Sequence, residues 1–528
     1  MSAFNQCRAV KRLKELGETV IDLSKEGVLC IKRFEKMVAS NLNLKLFYGT
    51  ERVNEQVMQA LFDLADEMQA VAKMQKMQSG AIINRIEGCE SEERPVLHTA
   101  MRDFFNPGKR SEVVKQATKE AYDEMEKLKH FLDDIDKQDF TEIVQVGIGG
   151  SELGPKAISL GLQAFQRPNR RVHFISNIDP DDAARVLNQI DLSKTLVVIV
   201  SKSGLTLETR TNEQRIRRRF LDLGLSPKNH FIAVTGKNSP MDDPKQYRAC
   251  FYIWDFIGGR YSVTSMVGCV VLAFAIGMEK LLEFLQGAHD ADKMALVEDP
   301  HKNLPLLSAL LGIWNHNFLH LPTTAIIPYS QALSRFTAHL QQCDMESNGK
   351  HIDRQARAVD HWTGPIIWGE VGTNSQHSFY QLLHQGTHFV PIEFIGFRES
   401  QREEDDEYEG TTSQEKLLSN LFAQSIGLAQ GKKSDNPNRV FLGNRPTRIL
   451  MAKQCNPYTM GTILAFYEHK IAFQGFIWNI NSFDQEGVQL GKVLANKVIA
   501  QFAKKRKQEE FERDFPLGAF YLNHLEDL

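Results

Sequence analysis

The stretch Gly147-Ile-Gly-Gly-Ser-Glu-Leu-Gly154 follows the apolar run Ile143-Val-Gln-Val146 and precedes a helix-like segment containing Pro155. A buried strand, a glycine-rich turn and a helix in that order open a βαβ unit. The backbone N–H groups of such a turn point at whatever anion sits at the head of the helix. Outward from it, short β-branched runs alternate with helical stretches. The expected strands are Val172 to Ile175, Leu196 to Val200, Phe231 to Val234 and Phe251 to Trp254. The rhythm resumes after Leu304, with Thr324 to Ile327, Pro365 to Trp368, Phe389 to Ile395, Arg448 to Met451 and Phe476 to Trp478. Two α/β domains with parallel sheets are expected. The first hundred residues read as mostly helical, with Val57, Leu61 and Leu64 at helical spacing and a buttressing role.

A chain of 528 residues exceeds what one core supports, so more than one is expected. The formal net charge of −3 gives no long-range attraction to nucleic acid or to an anionic membrane, and neither is an expected partner. The seven cysteines are scattered, with no CxxC or Cys/His spacing for a metal, and read as reduced cytosolic thiols. The N-terminal stretch lacks an apolar h-region, which argues against a secretory signal and for a mature chain starting near Met1. The run Val263 to Met278 is shorter than a bilayer requires and reads as a buried core helix. The acidic run Glu399 to Gly410 reads as a solvated loop, and Lys504 to Lys507 as a helix end where positive charge suits the dipole.

A second loop strengthens the first. The strand Thr195-Leu-Val-Val-Ile-Val200 ends in Ser201-Lys-Ser-Gly-Leu-Thr-Leu-Glu-Thr209, which brings hydroxyls and a lysine to the carboxyl edge of the same sheet. Ser201, Ser203 and Thr206 are also good helix caps, but beside the glycine loop a monophosphate site is the better reading. A dinucleotide fingerprint needs glycine where Glu152 stands, and neither loop has the GxxxxGK[ST] spacing of a triphosphate site. Three further segments carry groups able to move protons. Glu346 lies in Asp344-Met-Glu-Ser-Asn-Gly-Lys350, where helical periodicity breaks; His377 follows a Gly/Thr/Asn turn; Lys492 sits on an expected helix. Spacing alone does not assemble them.

Together these segments resemble the glucose-6-phosphate isomerase family over nearly the whole chain. Asp255-Phe-Ile-Gly-Gly-Arg-Tyr-Ser-Val-Thr-Ser-Met-Val-Gly268 is similar to the family's first signature, and Gly475 to Lys492 to its second. The segments containing GIGGSELGP, SKSGLTLET, QQCDMESNGK and GTNSQHSFYQLLHQG, with Arg94 to Arg102, are similar too. The departures are Gln489 for glutamate, Val371 for proline and serine for the commoner threonine in the SKS loop.

The resemblance implies two sugar-isomerase (SIS) type domains, each a mainly parallel sheet flanked by helices. The implied boundaries are a helical segment 1–104, a first domain 105–285 with the phosphate loops, a second domain 286–505 with the catalytic groups, and a C-terminal extension 506–528. It implies reversible conversion of glucose 6-phosphate to fructose 6-phosphate, in the cytoplasm, in glycolysis and gluconeogenesis, with no metal and no cofactor. Gly150, Ser151, Ser201, Lys202, Ser203 and Thr206 are implied to surround the phosphate and substrate, and Gln485 to contact substrate. Gly259 is a supporting residue of the first signature. His377 and Lys492 are implied in ring opening, with the acid of the two left open. Glu346 is implied to carry the proton between C2 and C1 through a cis-enediol, and Arg260 to stabilise the charge that develops. Glu208 is implied to orient His377, which the resemblance has a neighbouring subunit supply in a homodimer.

Three rivals are separable. An NAD-dependent oxidoreductase is opposed by Glu152. A non-catalytic phosphosugar sensor keeps the loops and loses Glu346, His377 or Lys492, and all three are present. A mannose 6-phosphate isomerase passes through the same enediol and differs in its product.

Overall fold

Two short strands near the N-terminus, β1 (Val38–Asn41) and β2 (Leu44–Phe47), pair antiparallel. They are followed by β3 (Glu142–Val146), β4 (Arg171–Ile175), β5 (Thr195–Ser201), β6 (Phe231–Thr235) and β7 (Ala249–Tyr252). Later come β8 (Thr323–Pro328), β9 (Ile366–Trp368), β10 (Ile392–Phe397) and β11 (Thr447–Ala452). The computed structural model describes residues 3–105, 108 and 110–525. Contacts divide it into one unit, Met1–Ser482, that holds both sheets, and a second, Phe483–Leu528.

Among the described residues the first sheet has the order β4-β3-β5-β6-β7, every pair parallel. Strand β5 is buried at every position, as a parallel strand covered on both faces must be. Each Val or Ile so buried contributes about 1.5–3 kcal/mol. The order reverses between β3 and β5, because β4 lies on one side of β3 and β5 on the other. The crevice beyond the carboxyl ends of two such strands is where a doubly wound sheet takes its ligand. Both loops singled out in the sequence leave from there: helix α1 (Leu153–Gly161) follows the first, and α2 (Leu207–Asp222) the second.

The second sheet has the order β1-β2-β11-β10-β8-β9. Its β8, β9, β10 and β11 are parallel, and β2 joins β11 antiparallel. Residues 38–47, inside the segment expected to be helical, thus extend the second sheet. The other expected strands before residue 476 are present, with ends shifted by a few residues.

Two long helices fill the core. Helix α3 (Met266–Met294) contains the apolar run that matched a membrane span in composition, and that window is 89% buried inside the protein. Helix α4 (Pro457–Trp478) starts with Asn456 accepting from the Thr459 N–H at 2.9 Å. The two cross in backbone contact, since a β-carbon on Gly461 would lie 1.8 Å from the Phe284 carbonyl oxygen. The expected strand Phe476 to Trp478 is the last turn of α4. The physical reason is that α4 is buried on all sides, so its apolar run lacks the period that separates helix from strand.

In the second unit, α5 (Gln489–Arg506) ends with Lys504, Lys505 and Arg506 in its last turn, the expected basic helix end. Helix α6 (Pro516–His524) follows. The acidic run is exposed and carries a small hairpin, Glu407–Tyr408 with Thr411–Thr412.

Candidate active site

The first loop turns immediately after β3. Gly149 takes φ +61°, a left-handed conformation that glycine adopts without steric cost. Gln145, buried inside β3, donates from its amide to the Ser151 carbonyl at 2.8 Å and fixes the far side of the turn. Gly150 rests against the next important segment: a β-carbon there would stand 2.2 Å from the carbonyl carbon and oxygen of Gly259. Gly259 opens the short turn Gly259–Tyr261 that carries Arg260. The Glu152 carboxylate folds back to Lys156 at 2.8 Å and is buried.

In the second loop Ser201 and Thr206 share a hydroxyl hydrogen bond at 2.9 Å. Thr206 occupies the N-cap position of α2, yet its side chain makes no cap bond. The head of that helix therefore keeps N–H groups without a side-chain acceptor, which suits an anion. Ser203 is exposed at the rim and accepts from the Leu205 N–H at 3.2 Å. The Lys202 ammonium points elsewhere, donating to the Asp255 and Ile257 carbonyls at 2.9 and 3.0 Å. Burial pulls it down to about 8. Lys202 thereby ties the second loop to the segment leading into Arg260.

The chain from Gln342 to Glu346 forms a π-helical turn, a rare insertion in a helix that recurs at functional sites. Gln342 donates from Nε2 to Glu346 Oε2 at 2.9 Å. The same carboxylate oxygen faces Arg260 Nη1 at 3.8 Å. The Arg260 side chain is 1% exposed while that of Glu346 is 22% exposed, so the cation is fixed in the protein and the carboxylate opens outward. Gln342 Nε2 is also 3.3 Å from the β-carbon position of Gly149. The glycine loop, the Arg260 turn and the π-helical turn bearing Glu346 thus converge. A carboxylate beside a fixed guanidinium, next to a glycine-rich turn at the head of a helix, is a set chemically able to move a proton and stabilise an oxyanion.

The remaining expected residues lie on other segments of the chain. His377 ends the turn Asn374–His377 and is exposed, and Glu208 lies in the first turn of α2. Among the described residues neither side chain makes a hydrogen bond or ion pair. The His377 turn is anchored from below, where Gln376 Nε2 donates to Tyr329 Oη at 2.7 Å. Lys492, on α5, and Gln485, before the turn Glu486–Val488, belong to the second unit. Lys492 is exposed there.

The family model described as phosphoglucose isomerase matches residues 47–515. The chain belongs to the phosphoglucose isomerase family. It is 55% identical over 527 residues to the glucose-6-phosphate isomerase of Protochlamydia amoebophila, covering 99% of this chain and 98% of that one. It is 55% identical over 502 residues to that of Desulfotalea psychrophila, covering 93% of each. Among solved structures it is similar to a glucose-6-phosphate isomerase from Chlamydia trachomatis, with a TM-score of 0.95, 50% identity and 99% of each chain covered.

One residue at the cluster is not among those the sequence points to. Gln342 stands four residues before Glu346, the spacing that puts two side chains on one helix face, and that is the signal it left. Val371, where the resemblance leads one to expect proline, is buried, and its N–H donates to the Glu370 carboxylate at 2.8 Å. Gln489 is the exposed first residue of α5, one turn before Lys492.

Proposed function

We propose that Glu346 is the base of a reversible glucose 6-phosphate to fructose 6-phosphate isomerisation, the activity of the family. The observation that carries this is the Glu346 carboxylate itself, half-open, held by Gln342 and facing a buried Arg260 beside the glycine loop. The phosphate sits between the loops, on Gly150, Ser151, Ser201, Ser203 and Thr206, whose hydroxyl and N–H donors make charge-assisted bonds to a dianion. Lys202 acts by fixing the segment that ends in Arg260 and adds its charge to the loop.

His377 and Lys492 share the proton transfers of ring opening, one protonating the ring oxygen while the other takes the anomeric proton. Glu346 then removes the C2 proton and returns it to C1. The negative charge that grows on oxygen in the cis-enediol is met by the Arg260 guanidinium. Gln485 contacts the sugar, and Glu208 orients His377.

The active form is a homodimer in the cytoplasm, with His377 supplied across the interface. Two observations support the dimer. His377 is exposed and lacks a side-chain partner among the described residues. The second unit leaves Leu490, Leu517 and Tyr521 about 70% exposed, an apolar surface that another copy would cover.

The deciding experiment is incubation of purified, metal-chelated protein with fructose 6-phosphate in deuterated water, followed by NMR. Glucose 6-phosphate carrying deuterium at C2 supports the reading. Binding without turnover would make the protein a sensor, and mannose 6-phosphate as main product would change the substrate.

A further inference from the structure

An arginine next to a catalytic carboxylate is useful only if its guanidinium plane is fixed, because a long side chain otherwise averages over many orientations. Two contacts settle that plane here. Nε donates to the Ser347 hydroxyl at 2.6 Å, and Nη2 donates to the Ser482 carbonyl at 2.6 Å. Two points on a rigid planar group fix the third corner, and Nη1 is the corner directed at Glu346. Ser347 is the residue directly after Glu346, so base and guanidinium are set by neighbouring positions on one turn.

The serine hydroxyl is itself anchored. Tyr261 Oη lies 2.8 Å from Ser347 Oγ, and both residues are buried. Burial pushes the Tyr261 phenol well above its usual range, so it keeps its proton. The phenol ring stacks on His98 with centroids 4.8 Å apart. On the other side, Cys343 donates from its thiol to the Arg260 carbonyl at 3.2 Å, so the π-helical turn grips Arg260 at backbone and side chain together.

We propose that Ser347 is a positioning residue whose Oγ, anchored by Tyr261, sets the Arg260 guanidinium plane so that Nη1 faces the Glu346 carboxylate. This deepens the proposed function and rests on the reading of Glu346 as base. Ser347 is fully buried and its hydroxyl accepts from Arg260 Nε, so its effect passes through Arg260.

The test is a kinetic cycle on the full-length protein. Ser347→Ala lowers kcat on the order of 10- to 100-fold, the cost of a misplaced catalytic group, while KM stays near the wild-type value. Ser347→Thr, which keeps the hydroxyl, recovers most of the loss. Arg260→Ala lowers kcat further, and adding Ser347→Ala to it costs nothing more, because the serine then has no guanidinium to hold. Additive losses, or a rise in KM with native kcat, overturn the proposal. If Ser347→Ala does not fold, Tyr261→Phe reads the same contact, with a smaller kcat loss expected that vanishes in the Arg260→Ala background; native kcat in Tyr261→Phe overturns it. The outcomes separate from the base assignment. Turnover by Glu346→Gln sinks the base, whereas an inactive Glu346→Gln beside a native Ser347→Ala sinks the positioning role alone.

Discussion

Gln342 holds Glu346 by a single hydrogen bond, Nε2 to Oε2 at 2.9 Å, across one π-helical turn. The carboxylate is thereby aimed before substrate arrives, and removing its charge leaves the pocket's shape in place. Glu346→Gln is expected to bind fructose 6-phosphate with near-native affinity and to lose deuterium exchange at C2, with kcat falling about 10²- to 10⁴-fold. NMR in deuterated water with calorimetric binding checks both halves. Exchange at the native rate would remove Glu346 from the mechanism.

The contact between Gly150 and Gly259 leaves no room for a side chain. Gly150→Ala is expected to push the glycine loop away from the Arg260 turn and to destabilise the protein by about 1–3 kcal/mol, as overpacking does. Activity should fall further than stability, since both the loop and Arg260 move. Thermal melts paired with kcat/KM measure the two effects separately.

Lys202 makes stability depend on alkaline pH. Its folded-state value, about 8, lies below the ordinary 10.5, so between those values the unfolded chain holds more protons than the folded one. Wild-type stability is therefore expected to rise through this Lys202 contribution as pH climbs from about 8, and Lys202→Met to lack that rise. The variant also strands the Asp255 and Ile257 carbonyls and costs about 1–3 kcal/mol at neutral pH. Urea melts from neutral to alkaline pH test it.

Asp344 has the opposite sign. Burial pushes its carboxyl up to about 6, from an ordinary 3.8, against the pull of Lys470. The folded state binds the proton more tightly, so this group's contribution falls as pH rises from about 4 to 6. Asp344→Asn, whose amide oxygen still accepts from Asn348, is expected to melt higher than wild type at pH 7, with the gain shrinking at pH 4. Equal differences at both values would refute the assignment.

Much of the first sheet was legible because β3 and β5 are unbroken β-branched runs, each closed by glycine or serine at the point where the chain must turn. Glu346 was legible as a break in periodicity, but the π-helical turn that aims it was not. One extra residue in a helical ladder leaves no mark in composition. Gln342 carried no charge to draw notice. Phe476 to Trp478 belong to a long helix buried on all sides, which leaves no helical period to read, and the hairpin at 38–47 is built from two four-residue strands, too short to show one. Arg102 lies within a segment recognised only by resemblance. Its guanidinium meets Asp292 at 2.6 Å and Glu468 at 2.8 Å, from two separate core helices.

The hairpin at 38–47 also imposes an order on the birth of the molecule. Glu51, just beyond it, pairs with Arg448, 397 residues away, and β2 lies against β11. At ribosomal speeds of about 5–20 residues per second, the N-terminal strands wait roughly 20–80 s before their neighbour in the sheet is made. During that interval Leu44 and Leu46, buried in the finished protein, face water on an unpaired edge. Closure of the second sheet is thus an event of the last stage of translation, and the nascent chain is most exposed to aggregation at the end that was made first.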